Sequence, residues 1–313
     1  MSWFFLSVVC MLGWGSADLF YKLGTDEEDR FSHLKLTVWV GLVMGAVSAV
    51  LLVITRPFGG AGELFLSALR YAPASLSYII SMVIGYAGLR YLELSIVSPV
   101  QNASGALSAV CMLVYFGIKG QNVLTELSAL DIAGTAVIVL GVIALAVVEN
   151  RLSGDGEGER KYRFGALALL FPLLYCVFDT IGTAADGIIL TGDMDLGEIE
   201  VLILYGFTFL LAGAAAWLYL LFKTEKPYNP FARGERRKGA AALCEEAGQI
   251  FYVYAMASRP VLAAPMVASY CIVSVLLSRV FAGEKLKKAQ YLCVFAVIAG
   301  IVLLGISEGL SEQ

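Results

Sequence analysis

Apolar residues in this chain gather into runs about twenty long, each bounded by charged or turn-forming residues. A helix needs about 20 apolar residues to cross a hydrocarbon core roughly 30 Å thick. Ten runs meet or approach that length: residues 3–21, 36–55, 71–91, 96–118, 129–148, 164–190, 199–222, 239–257, 262–281 and 289–306. The third and eighth are the least apolar, being rich in Ser, Gly, Tyr or Glu. Residues 37–55, 166–178 and 201–222 contain no Lys, Arg, Asp or Glu. No series of short alternating segments suggests spanning strands, and an open sheet cannot satisfy its edges in lipid. The pattern therefore predicts an all-α integral membrane protein with ten transmembrane helices. The first run lacks the basic start and small-residue cleavage site of a secretory signal, and it reads as a retained first helix.

Composition agrees. Of 313 residues, 59% are hydrophobic and 15% charged, against roughly 45–50% and about 25% in soluble domains. The net charge of -4 offers no basic excess for a nucleic-acid partner. The six cysteines each sit in an apolar run without metal-ligand spacing. All six read as small buried hydrophobes, with no cofactor or metal implied.

Residues 149–163 (ENRLSGDGEGERKYR) are charged and Gly-rich, the composition of a solvated linker. It divides the chain into a first five-helix unit, 1–148, and a second, 164–313. The two resemble each other in order. Trp14-x3-Asp18 matches Tyr175-x3-Asp179, and Tyr86-Ala87 ahead of Ser98-Pro99 matches Tyr254-Ala255 ahead of Ala264-Pro265. Further on, AVIVLGVIAL (136–145) matches FAVIAGIVLL (295–304). Five is odd, so two such halves enter the membrane in opposite directions as inverted repeats, an arrangement that places a substrate site near the midplane.

Lys and Arg divide unevenly between the two faces. Eighteen lie in or beside the connections after runs one, three, five, seven and nine; four (Arg56, Arg70, Lys119, Arg259) lie on the other side. The positive-inside rule then puts both termini outside and the linker in the cytoplasm of a multi-pass cell-membrane protein. The connection after run six is acidic, with Asp186, Asp193, Asp195 and Glu198.

The segments GWGSADLFYK (13–22), YAGLRYLELSIVSPV (86–100), YAMASRPVLAAPMVASYCIVSVLLSRVFAGEKL (254–286) and AGIVLLG (299–305) resemble the EamA-type members of the drug/metabolite transporter superfamily. The third is the most specific, with Tyr-Ala late in helix eight, a small-Pro pair opening helix nine, and Gly283-Glu284 after it. The first half departs from the pattern, carrying Lys119-Gly120 and a longer connection where the family repeats its Gly-Glu. The resemblance implies a ten-helix carrier of small metabolites working by alternating access. The family handles amino acids, nucleobases, amines, sugars and drugs, so no substrate follows.

Ionisable residues inside a span are costly and mark pathways by default. Asp18 has Lys22 at i+4, the pattern of an intrahelical ion pair, with a pathway role as the alternative. Asp179 lies deeper, with Thr183 rather than a base at i+4. Glu245 and Glu246 are about 100° apart on helix eight, so at least one faces protein or a cavity. Gln249, Tyr252 and Ser269 extend the same polar lining. Arg90 and Arg259 end equivalent helices, where snorkelling or capping of carbonyls is expected. Glu93 and Glu284 fall at helix ends and read as solvated, and His33 lies in the charged loop after the first helix, where a surface role is expected.

Trp3, Trp39, Tyr71, Tyr91, Tyr219 and Tyr291 fall near run ends, as an interfacial belt would. Trp14, Tyr78, Tyr86, Tyr175, Phe178, Tyr252, Tyr254 and Tyr270 fall nearer the midplane. The candidate pathway is thus Asp18, Asp179, Glu245, Glu246, Gln249, Trp14, Tyr175, Tyr252 and Tyr78. Deep acids without deep bases, set among aromatics, suit a cationic or zwitterionic amine. Because burial disfavours a charged carboxyl, the same acids could carry protons instead. The expected partners are a small-molecule substrate, protons and the bilayer, and a homodimer is compatible with this reading. A lipid-intermediate translocator is the alternative within transport. A membrane-embedded enzyme would need a nucleophile, base or metal cluster at membrane depth; no GxSxG or HExxH occurs.

Overall fold

The computed structural model describes residues 2–92, 94–121, 123–154, 170–193, 196–224, 227–283 and 286–311. Every regular element among them is helical: α1 (Trp3–Gly24), α2 (Ser32–Thr55), α3 (Ala61–Gly88), α4 (Leu94–Asn102), α5 (Ser104–Ile118), α6 (Ala129–Gly154), α7 (Leu170–Ile188), α8 (Glu198–Lys223), α9 (Arg236–Ser258), α10 (Pro260–Ala268), α11 (Cys271–Leu277) and α12 (Lys288–Ser311).

Eight segments in the described residues are long and apolar enough to cross a membrane; α3 and α9 fall outside that set. Leu140, Leu211, Leu292 and Phe295 are each more than 60% exposed, a surface that suits lipid and not water. The protein is an all-α, multi-pass membrane protein.

Helix α3 begins ten residues before its expected start. Glu63 and Arg70 look like a boundary in sequence, but the Glu63 carboxylate accepts the Gly59 N–H at 2.6 Å, and an acid in a first turn stabilises a helix start. Tyr71 is therefore fully buried mid-helix, not part of an interfacial belt. Trp3 is likewise interior, 4% exposed, with its indole N–H donating to Glu308 Oε2 at 2.6 Å. Helix α6 continues to Gly154, six residues into the expected linker, whose remainder lies outside the described residues, as do Glu93, Asp195 and Glu284. Cys111 is exposed and Cys244 half-buried, so not every cysteine fills the core. His33 sits half-buried in the first turn of α2 rather than in a loop.

The expected fourth and ninth spans are each interrupted. The fourth splits into α4 and α5 at Ala103; the ninth splits into α10 and α11 at Ser269 and Tyr270. Pro99 and Pro265 lie four residues before the respective breaks, and each removes a backbone donor. Side chains then compete for the ladder. Asn102 Nδ2 donates to Ser98 O at 2.8 Å, and Ser269 Oγ to Met266 O at 2.5 Å. At the second break the backbone tightens, with Ser269 N on Met266 O and Tyr270 N on Val267 O.

Packing pairs α1 with α9, α3 with α7, α2 with α8, α6 with α12, and α5 with α10. Two of these contacts rest on glycine pairs that let backbones meet. A Cβ on Gly41 of α2 would lie 2.4 Å from Phe209 O and 3.0 Å from Gly213 Cα of α8. A Cβ on Gly300 of α12 would lie 2.8 Å from Gly134 O of α6.

Candidate functional site

Three helices each aim one face at a common space. On α1, Trp14, Asp18 and Tyr21 fall at i, i+4 and i+7; on α7, Tyr175, Asp179 and Thr183 fall at i, i+4 and i+8. Such spacings share a face of a 3.6-residue helix. On α9, Glu245 and Tyr252 stand seven apart. With Tyr78, Met82, Gly85, Tyr86 and Leu89 of α3, and Tyr205 of α8, they enclose one cavity. Both helix breaks open onto it: Gln101, Asn102, Ser104 and Gly105 from the first, Ala264, Val267, Ala268 and Tyr270 from the second. Its free volume is about 50 Å³, room for a few water molecules at roughly 10–15 Å³ each on this measure.

The acids are held by hydroxyls, not by cations. Ser98 Oγ and Ser274 Oγ both donate to Asp18 Oδ2 at 2.7 Å. Ser104 Oγ donates to Asp179 Oδ2 at 2.6 Å. Tyr21 lies beside the Glu245 carboxyl, and Tyr86 Oη donates to Tyr21 Oη at 3.1 Å. The Asp18–Lys22 ion pair does not form. Lys22 Nζ instead donates to Leu89 O at 2.9 Å and Leu92 O at 3.0 Å and lies 3.4 Å from Glu27 Oε1. Among the described residues, no Lys, Arg or His lines the cavity, although three carboxyls do.

Eight aromatic rings complete the wall, seven Tyr and one Trp. Trp14 lies 5.0 Å from Tyr252 and 5.7 Å edge-on to Tyr270, and its indole N–H donates to Glu245 O at 3.2 Å. Tyr78 Oη donates to Thr183 Oγ1 at 3.1 Å and lies 2.6 Å from Tyr252 Oη, closing one end. Ring faces carry negative quadrupole potential, so carboxyls and rings together make a space suited to a cation.

Of the nine residues expected from sequence, seven line this space: Asp18, Asp179, Glu245, Trp14, Tyr175, Tyr252 and Tyr78. Glu246 and Gln249 are buried elsewhere on α9, and Gln249 Nε2 has no hydrogen-bond partner. Sequence reasoning missed Tyr21, Tyr205, Gln101, Asn102, Ser104 and the serines on Asp18. The run SPVQNASG (98–105), polar in mid-span beside a proline, was the signal for several of them. Asp186 was also misplaced. It is not in an exposed acidic connection; it sits on α7 with no exposed surface, beside the hydroxyls of Tyr71, Tyr78 and Tyr252 but without a hydrogen bond of good geometry.

The arginines at the helix ends contact a loop carbonyl and a carboxylate rather than helix-end carbonyls. Arg90 Nε donates to Glu27 O at 2.7 Å, and Arg259 Nη1 lies 3.8 Å from Asp131 Oδ2.

No family model and no curated protein sequence compared with this chain matches it. A solved structure titled "Crystal structure of protein" is similar over 98% of this chain and 99% of its own, at 14% identity and a TM-score of 0.61. At that identity the likeness concerns the fold alone: this helical arrangement, end to end, is one that an experimentally solved protein also adopts.

Proposed function

We propose that this protein is a secondary transporter of the EamA type within the drug/metabolite transporter superfamily, built from ten spans in two inverted five-helix halves. It moves a small cationic or zwitterionic amine across the cell membrane by alternating access, coupled to protons, with both termini outside. The observation that carries the reading is a cavity with three carboxyls, eight aromatic rings and no cationic side chain among the described residues. A bound amine would supply the missing positive charge, and the rings would hold it by cation–π contact.

Two features support the inverted halves. Exchanging the first five spans for the second leaves the packing scheme unchanged: α1 on α9 becomes α7 on α3, while α2 with α8, α6 with α12, and the two broken helices pair with their own counterparts. The breaks fall at matching distances from Pro99 and Pro265. Discontinuous helices meeting at a midplane site are a recurring transporter device. At about 50 Å³ the cavity must widen to admit an amine substrate.

The test is counterflow of labelled choline and labelled ethanolamine into liposomes containing the full chain. Uptake above that of empty vesicles, lost in Asp179→Asn and Glu245→Gln, is expected. No uptake of either amine, or both variants transporting like wild type, overturns the reading. Flipping of a fluorescent lipid in the same vesicles would favour a lipid translocator instead.

A further inference from the structure

Asp186 lies one step beyond the cavity. Asp179, Thr183 and Asp186 occupy i, i+4 and i+7 on α7, so they share a face, and the two acids are about 10 Å apart along the axis at 1.5 Å per residue. Asp179 and Thr183 line the cavity; Asp186 does not. Between them stands the contact of Tyr78 Oη with both Thr183 Oγ1 and Tyr252 Oη, at 3.1 and 2.6 Å. Behind that contact Asp186 has no exposed surface. Its titratable neighbours are Tyr71 and Tyr78 from α3, Tyr205 from α8, Tyr252 from α9, and Asp179 on its own helix. None is a cation. Neither Asp186 oxygen makes a hydrogen bond of acceptable geometry, although the hydroxyls of Tyr71, Tyr78 and Tyr252 lie beside the carboxyl.

A buried carboxylate with hydroxyls but no cation beside it is costly, and a buried charge without a counter-charge is neutralised in practice. The two means of neutralisation are a proton and a metal cation. Hard cations take about six or more oxygen ligands. Here the protein offers one carboxyl and the hydroxyls of Tyr71, Tyr78 and Tyr252, of which the last two also bond each other and Thr183. Among the described residues no group of three or more His, Cys, Asp or Glu side chains stands here to hold a metal ion, whereas one carboxyl suffices for a proton.

We infer that Asp186 is a proton-binding site, separate from the substrate cavity and joined to it through the Tyr78–Tyr252–Thr183 hydroxyl contact. In the protonated state the carboxyl is neutral and has a donor for Tyr71 Oη; on losing the proton it becomes an uncompensated charge that favours separation of α3 and α9 and entry of water. Opening one end of the cavity is thereby linked to proton release. The linkage to transport rests on the carrier reading above; the proton site itself does not.

The experiment uses the full chain in lipid nanodiscs and infrared difference spectroscopy between acid and alkaline buffer. One component of the protonated-carboxyl stretch should disappear on alkalinisation in wild type, be missing from Asp186→Asn, be displaced in Asp186→Glu, and persist in Asp179→Asn. A difference spectrum in Asp186→Asn that retains every wild-type component overturns the proposal, as does a component assigned to Asp186 that responds at fixed pH when N-methylglucamine chloride is replaced by sodium chloride. A second arm measures choline in liposomes. Asp186→Asn should keep choline exchange and lose at least tenfold of the uptake driven by a pH gradient. Equal loss of both, in a variant that elutes as wild type, would make Asp186 a substrate residue and overturn the proposal. Failure of wild type to move choline would defeat the carrier reading while the infrared result still decides the proton site.

Discussion

The hydroxyls of Tyr78 and Tyr252 lie 2.6 Å apart, joining α3 to α9, the two helices that are not apolar enough to count as spans by composition. Buried tyrosine hydroxyls need partners, and each of these provides one for the other. In a double-mutant cycle of Tyr78→Phe and Tyr252→Phe, followed by unfolding in bicelles, we expect a coupling of about 0.5–1.5 kcal/mol. Strictly additive effects would show that the contact is not a bond.

Glu245 and Glu246 are neighbours in sequence with separate surroundings. Glu245 lines the cavity beside Tyr21; Glu246 does not reach it. Glu245→Gln should reduce choline counterflow about tenfold or more, equivalent to roughly 1.4 kcal/mol of lost binding. Glu246→Gln should leave it within twofold of wild type. Equal impairment in both variants would contradict the assignment.

The close approach of α2 and α8 leaves no room for a side chain at Gly41, where a Cβ would come 2.4 Å from a backbone oxygen. Gly41→Ala should lower unfolding stability by about 1–3 kcal/mol through overpacking. Gly309 of α12 has open space around it, and Gly309→Ala should be neutral or gain up to about 1 kcal/mol from helix propensity. Similar melting temperatures for the two variants would sink this packing account.

In the connection between α1 and α2, partial burial pushes the Asp29 carboxyl up, yet Lys35 Nζ at 2.7 Å and the Phe31 N–H at 2.9 Å outweigh it and hold the group below its ordinary value. A carboxyl lowered in the folded state contributes stability above its unfolded value, about 3.9, and that contribution is lost as pH falls through the folded value. Asp29→Asn should therefore cost about 0.5–1 kcal/mol at neutral pH, with the gap from wild type closing below about pH 4. A gap that persists unchanged in acid would assign the loss to packing.

Much of the helix layout was legible because an apolar run of bilayer length has few alternatives in lipid. What misled were charges near helix starts. Glu63 and Arg70 made the third span look short, whereas Glu63 stands in the first turn of a helix that starts at Ala61, where an acid is favoured. Asp186 was assigned to a loop by its acidic neighbours in sequence, although α7 runs on to Ile188 and turns that residue inward.

By itself the sequence determined that this chain is helical and lives in a membrane, since period and hydropathy are local properties that lipid enforces on each segment separately. It also marked Asp18, Asp179 and Glu245 as costly enough to need a reason. Only the tertiary structure decided which of the marked residues meet. Asp18 exchanges its i+4 lysine for two serines from α4 and α11, Glu246 and Gln249 turn away, and Asp186 is sealed among tyrosines from three other helices. Those outcomes depend on how far each helix is rotated and how closely glycine contacts let it approach, and neither quantity is carried by any one segment.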